Sequence, residues 1–529
     1  MTGTKDNKPY ILAIDHGTSG CKVAVISIHG EVIDTAFEPT PMYFSPGGGA
    51  EQETADWWNG IVNASKKLLT QGKVKPGDIA AVAVSSTFST TVPVDKQGRA
   101  LMRAITWMDS RGAQYIKEAM SGIVNVEGYG LAKILTWIRK TAGGPQLSGK
   151  DDIAHVLLVR NQYPDVYEKT YKFLGSKDYL NLRLTGNFSA SYDSVMLFWI
   201  TDTRDIDHIQ YDEGLMNRLG IEREKLPDLI RSTDVVGTLS REAADALGLK
   251  TDVKVVCGSP DHQSALVGSG AVRDFEGHLY IGTSSWIECI VPFKKTDMFH
   301  SIASLPSALP GKYQCINEQD IAGGSLPFLL NNILFYRNEL QQARPPDDPY
   351  RKMDRIAAGV PAGSNGVIFT PWLNGERSPV DTTTLRGGLY NISVTTNMND
   401  IVRAFFEGVA FNTRWNLTYT ERFTGRTFET INIVGGGAQS DIWCQIFADV
   451  LRRNIRRVSD PLQANARGAA FIASVSLGFI RFDDIPDLIR YDRTFNPDKK
   501  NVVFYDRLYK EFLNIYKNNK AMYRRLNAQ

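Results

Sequence analysis

Within nine residues of one another near the start of the chain stand an acid, two glycines, two hydroxyls and a lysine. They are Asp15, Gly17, Thr18, Ser19, Gly20 and Lys22 in the stretch IDHGTSGCKV. A tight turn of this composition aims backbone N–H groups and the Thr18 and Ser19 hydroxyls at one point, a donor set that suits phosphate oxygens. Asp15 cannot bind phosphate itself, but a carboxylate there can hold the hydrated magnesium that travels with it. Lys22 can reach back as a point charge. An ordinary hairpin, with glycine supplying positive φ, explains a single turn of this kind at least as well. A second turn, Gly282-Thr283-Ser284, and the run Gly435-Gly436-Gly437 shift the balance towards phosphate.

The other acid of interest is Asp261, in VVCGSPDHQSALVGSG. It follows a short apolar run and a turn of Gly, Ser and Pro, and it precedes a small-residue helix. A carboxylate so placed can take the proton of an incoming hydroxyl. Phosphoryl transfer needs mostly positioning and charge neutralisation, so one base, a magnesium ion and phosphate donors suffice. As an N-cap of a helix starting at His262 it would need no chemistry, yet beside two phosphate-type hairpins the catalytic role is favoured. His16 and His262 flank the two acids and are given no chemical role. The near P-loop GPQLSGKD ends in Asp151 where Ser or Thr should hold magnesium, and it follows a helical stretch, so it is rejected. No dinucleotide-type glycine motif opens a helix after a strand, and the protein-kinase motif set is missing.

The elements that must position these residues alternate. ILAI and VAVISI are strands that GEVIDTAFEP continues, and IAAVAVSS is a strand buried on both faces. ADWWNGIVNASKKLL has helical spacing, with Trp57, Ile61, Ala64 and Leu68 on one face. Residues 151–185 are helical, closing on Gly186 as C-cap. GHLYIGTSSWIECIVP is a hairpin. A long helix follows with Asn399 or Asp400 as N-cap and Gly425 beyond its end, then a strand, the glycine turn and another helix. This is an α/β pattern. The two Gly-Thr-Ser hairpins, about half a chain apart, form a weak repeat. They divide the chain near Gly268–Gly277 into 1–268 and 269–529.

At 529 residues the chain is too long for one ordinary core. A net charge of +2 offers nothing to nucleic acid or to an acidic membrane. The basic tail KNNKAMYRRLNAQ reads as the solvated face of a last helix. No run reaches the roughly 18 apolar residues of a membrane span, and the polar start MTGTKDNKPY lacks a signal peptide's apolar core. Five scattered cysteines suggest buried thiols in a reducing cytoplasm. The seven histidines show no zinc spacing.

Taken together, these residues resemble the FGGY carbohydrate kinases, a branch of the actin/hexokinase/heat-shock ATPase superfamily, over about residues 9–480. DHGTSGCK and YIGTSSWI are similar to the family's two phosphate motifs, and GSPDHQSALVGSGAV to its catalytic-aspartate segment. GGGAEQETADWW, ITWMDSRG, IAGGS, LNGERSP and GGGAQSDIWCQIFADVL resemble further family motifs, all in family order. Asn391 replaces a usual glycine, a change the left-handed tolerance of Asn allows. KILTW is one residue longer than the family's lysine–tryptophan signature, with Gly130 in its Pro/Ser/Thr slot.

The resemblance implies two ribonuclease-H-like (actin-like ATPase) domains with an interdomain cleft. The N-terminal one would carry the sugar site and base, the C-terminal one the nucleotide. It implies transfer of phosphate from ATP-Mg²⁺ to a sugar or polyol, with Asp261 as base and Asp15 organising magnesium. Thr18, Ser19 and Lys22 would hold the transferring phosphate, with Thr283 opposite, and Gly323, Gly437, Ala438 and Asp441 would line the ATP side. Asp109 and Arg111 are candidates for the sugar side, although an exposed structural ion pair accounts for them equally. A silent sugar sensor or an actin-like filament or chaperone module remains open on fold alone, and so does a homodimer.

For the sugar, the informative run is SSTFSTTVPVD. Where glycerol kinases carry an Arg and a Glu it has Phe88 and Ser89, after Thr87, so a charged grip on glycerol is lost. The run is similar to that of ribulokinases with Ser85 for an Asp, while NQYPDVYEKTYKFLGSKDYLNLRLTG resembles xylulokinases. Both imply a five-carbon ketose phosphorylated at its terminal hydroxyl, D-xylulose ahead of ribulose.

Overall fold

A computed structural model describes residues 9–527, so the polar start, residues 1–8, lies outside the described residues. Strands β1 (Tyr10–Gly17) and β2 (Gly20–Ser27) form an antiparallel hairpin extended by β3 (Val32–Pro39). On the other side of β1, strands β4 (Ile79–Ser86) and β5 (Lys254–Pro260) run parallel to it, and Val235–Thr238 closes the edge. Both faces are apolar. Leu12, Ile14, Val82 and Val84 pack with Trp57, Ile61, Ala64 and Leu68 of helix α1 (Thr54–Thr70) and with helix α2 (Ser176–Thr185). Ile11, Ala13, Ala81 and Ala83 face the other way, towards helix α3 (Asp261–Gly268). Period-2 burial on both faces is why these strands read as nearly continuous apolar runs.

The second sheet repeats the first. Strands β6 (Gly277–Ile281) and β7 (Ser285–Val291) form the antiparallel hairpin and β8 (Tyr313–Gln319) extends it. Strands β9 (Thr430–Val434) and β10 (Asn454–Val458) add in parallel beyond β6. The order β8-β7-β6-β9-β10 mirrors β3-β2-β1-β4-β5, so the weak repeat in the sequence is a repeat of topology. Helix α4 (Met398–Thr424) and helix α5 (Asp441–Leu451) share the core of this sheet. The N-cap of α4 is Asn397, not Asn399 or Asp400. The Asn397 side chain accepts from Asn399 N, and Asp400, three residues on, accepts from Asn397 N, a reciprocal capping box. Gly425 ends α4 at φ 68°, and Asn391 takes the left-handed φ of 62° expected of it.

Helix α6 (Ala464–Ser476), late in the chain, returns to the first sheet and packs on α3, β1, β4 and β5. The α3–α6 crossing brings backbone onto backbone. A Cβ on Gly468 would overlap the Ser264 carbonyl, and one on Gly268 the Ala464 carbonyl. The core formed there also takes Ile290, Val434 and Val458 from the second sheet, so both sheets share it. The last helix, α7 (Lys499–Asn527), buries Tyr505, Leu508, Tyr509 and Phe512 and leaves Lys517, Lys520, Arg524 and Arg525 exposed. All five cysteines are free and buried. Among the described residues no helix is long and apolar enough to cross a membrane.

Candidate active site

The site grows from the carboxyl ends of three parallel strands. The register sets Asp15 beside Ser85 and Ser85 beside Ser259, so β1, β4 and β5 end in one row. Ligand crevices of open α/β sheets lie at such ends. Asp15 is 8% exposed. Its Oδ2 lies 3.5 Å from Lys22 Nζ, and its Oδ1 accepts from Asn465 Nδ2 at 3.3 Å. Lys22 Nζ donates to the Leu462 carbonyl at 2.7 Å. Thr18 is half-buried and Ser19 exposed at the turn. Trp107 Nε1 donates to Thr18 Oγ1 at 2.9 Å, tying the ITWMDSRG segment to the phosphate-type turn. His16 packs 4.5 Å from Trp57, and full burial pushes its imidazole down to about 3, so it stays neutral.

Asp261 follows β5 after a bulge. The β4–β5 register shifts between Val256 and Ser259, and Gly258 in the gap has φ 71°. The carbonyl freed at Cys257 is taken by Asn181 Nδ2 of α2 at 2.8 Å. Asp261 is the first residue of α3, with Pro260 in the cap position, and its Oδ1 accepts from His262 N at 2.8 Å. It is therefore not the N-cap. Burial pushes its carboxyl up to about 7. The His262 charge works against that rise, while the Asp15 and Glu288 charges add to it. Tyr280 of β6 is pushed up by burial and by the charges of both Asp15 and Asp261, so the second sheet stands beside both acids.

On the far side, Thr283 is exposed at the second hairpin turn. Gly323 N and Gly324 N donate to the carbonyls of Gly282 and Thr283 at 2.9 and 3.0 Å. A Cβ on Gly323 would overlap the Gly282 carbonyl, which is why small residues stand there. Gly435–Gly437 join β9 to α5, and Ala438 is buried beneath them. Asp441, exposed at the start of α5, is held by Arg457 Nη1 at 2.6 Å and Arg493 Nη1 at 2.8 Å.

The loop after β4 carries the sugar candidates. Thr87 N donates to the His16 carbonyl at 2.9 Å, which brings the loop to β1. Ser89, at φ 55°, donates its hydroxyl to the Lys150 carbonyl at 2.6 Å. Phe88 is half-buried, its ring 5.1 Å from that of His262. Asp109 is fully buried and Arg111 half-buried, so neither is exposed. Asp109 accepts from Ala50 N and Arg111 N at 2.9 Å each, and Arg111 also pairs with Glu51 at 2.6 Å. The rejected P-loop candidate ends in a fully buried Asp151 whose Oδ2 accepts from Gln146 N and Trp199 Nε1. The sequence reading missed Leu462 and Asn465, which carry no local signal. It also passed over Trp107 within a segment it had singled out.

Two Gly-Thr-Ser turns, an acid at the end of each of β1 and β5 and the duplicated sheet order coincide with what comparison finds. The profile of the N-terminal domain of the FGGY family of carbohydrate kinases matches residues 10–268, and that of the C-terminal domain matches residues 279–477. The chain belongs to this family. Membership makes it a sugar kinase with the two-domain actin-like ATPase fold, and implies ATP as phosphoryl donor. The FGGY kinase is 26% identical to a xylulose kinase of Bacillus subtilis over 97% of this chain and 98% of the relative. It is also 26% identical to a gluconokinase of the same organism, over 96% and 95%. Its fold matches the crystal structure of ligand-bound xylulose kinase from Lactobacillus acidophilus with a TM-score of 0.84, at 24% identity over 98% and 99% of the two chains.

Proposed function

We propose that the chain transfers the γ-phosphoryl group of ATP to the terminal hydroxyl of a pentulose, D-xylulose ahead of ribulose. The observation that supports the chemistry is that Asp15 and Asp261 stand at the ends of β1 and β5 in one sheet, near enough for the Asp15 charge to raise the Asp261 carboxyl. Asp261 takes the hydroxyl proton as the sugar oxygen forms its bond to phosphorus, and the bond from phosphorus to the β–γ bridging oxygen breaks with its electron pair leaving on ADP. Thr18, Ser19 and Lys22 hold the phosphate from the half spanning 1–268, and Thr283 holds it from the half spanning 269–529. Gly323, Gly437 and Ala438 border the nucleotide, and Asp441 fixes the start of α5 beside it. Asp109 and Arg111 act on the sugar side by bracing the strand that carries Glu51.

Among the described residues there is no cluster of three or more metal-ligating side chains. One carboxylate with only long contacts, Asp15, suits magnesium, which keeps most of its water and binds through one carboxylate plus substrate phosphates. Bound there, the ion would neutralise phosphate charge. Five buried free thiols fit work in a reducing cytoplasm.

A base held near 7 has a visible consequence. Only the ionised carboxylate accepts the proton, so kcat/KM is expected to be flat above about pH 7 and to fall tenfold per unit below it. A rate still constant at pH 5 would remove Asp261 as the ionising base.

The substrate is tested by kcat/KM across xylulose, ribulose, glycerol, gluconate and fucose-type ketoses. A pentulose should lead glycerol by more than about tenfold, roughly 1.4 kcal/mol of transition-state binding. One observation favours a second reading, a sugar acid. Lys150, directly behind Ser89, is half-buried with no hydrogen-bond or ion-pair partner for its ammonium among the described residues, and Arg377, Asp320 and Glu318 surround it. Gluconate leading every pentulose by the same margin would move the assignment there.

A further inference from the structure

His262, which takes no part in the proposed chemistry, joins several parts of the site. Its backbone N–H holds Asp261 Oδ1 at 2.8 Å. Its Nδ1 lies 3.0 Å from Glu288 Oε1 on β7 and 3.4 Å from Gln314 Nε2 on β8, both across the junction between the two sheets. Its ring meets the sugar-loop ring of Phe88 at 5.1 Å. His262 is 5% exposed and Glu288 fully buried. Burial pushes the carboxyl of Glu288 far up, and the contacts of Glu288 and Gln314 at Nδ1 hold the ring from the second sheet. His262 Nε2 and Glu288 Oε2 have no hydrogen-bond partner, and the buried His278 Nε2 lies 4.0 Å from Glu288 Oε2. Unpaired buried polar atoms cost about 1–3 kcal/mol each. A Leu–Phe contact would fill this space without that cost.

We propose that His262 is a positioning residue: gripped by Glu288 and Gln314 of the second sheet, it fixes the first turn of α3, and with it Asp261, against the sugar loop at Phe88. The two halves of the molecule thereby set Asp261 and the loop at Phe88 as one unit. Misplacing a catalytic group by about 1 Å costs on the order of 10²-fold in rate, so the grip acts on turnover more than on nucleotide binding. The proposal rests on Asp261 being the base, which Asp261→Asn tests separately.

The experiment uses the full chain with ATP and its best sugar, in the variants His262→Phe, His262→Gln and Glu288→Leu and the double variant of the first and last. His262→Phe keeps a ring and loses both nitrogens. It should lower kcat roughly 10- to 100-fold while KM for ATP stays within about twofold. His262→Gln, able to reach Glu288 again, should recover most of that loss. Glu288→Leu should match His262→Phe, and the double variant should be no worse than the poorer single one, because the two losses are one interaction. If His262→Phe does not fold, Gln314→Leu is measured in its place and should lower kcat at least about threefold. Turnover within twofold of the parent in whichever of these two is measured, a glutamine variant as impaired as the phenylalanine one, or additive losses would each overturn the proposal.

Discussion

Asp261→Asn is expected to lower kcat by about 10²–10⁴-fold while ATP still raises the melting temperature as it does for the parent. The substitution is close to isosteric. The Asn oxygen can still accept from His262 N, so the start of α3 keeps its bond. What is lost is the ability to take a proton, on a carboxyl that burial has already pushed up to about 7. The same variant decides between enzyme and sensor. A protein that only binds sugar has no turnover to lose, and an actin-like ATPase would hydrolyse ATP with or without sugar. A variant that keeps half of the parental kcat would leave Asp261 a structural residue and the mechanism without its base.

Much of this site was legible because its parts are local. Strands buried on both faces read as apolar runs, and the turns between them must be small and hydroxyl-rich if phosphate is to approach backbone. The two hairpins, the two acids and the glycine turn before α5 all sit where the spacing placed them. What escaped is what depends on residues far apart in the chain. Leu462 and Asn465 close over Lys22 and Asp15 from about 440 and 450 positions away. Asp109 and Arg111 read equally as sugar-side residues or as an exposed pair, because nothing near them in sequence reveals their bonds to Glu51 and Ala50. The α4 cap was misplaced by two or three residues because Asn397, Asn399 and Asp400 are all good caps, and only the observed reciprocal bonding selects among them.

Gly258 shows the limit most sharply, since the sequence marks a turn there but not that the turn aims Asp261. Gly258→Ala is expected to abolish most activity without touching a reacting atom. At φ 71° an L-residue costs about 1–2 kcal/mol. The added Cβ would also overlap the Val84 carbonyl of β4, so β4 and β5 must part where they carry Ser85 and Ser259. Overpacking against backbone adds roughly 1–3 kcal/mol more. The bulge cannot relax freely, because Asn181 and Lys177 of α2 hold the Cys257 carbonyl and Gly258 N donates to the Ser232 carbonyl. The strain therefore passes to Pro260 and Asp261. We expect kcat to fall by about 10²-fold or more and the melting temperature to drop by roughly 5 °C or more. Gly359→Ala is the control. That exposed glycine at a helix end has open space around it and no positive φ, so stability should change by less than about 0.5 kcal/mol. If the two variants melt and turn over alike, the bulge does not position the base, and the route from the strand ends to the chemistry must run through another contact.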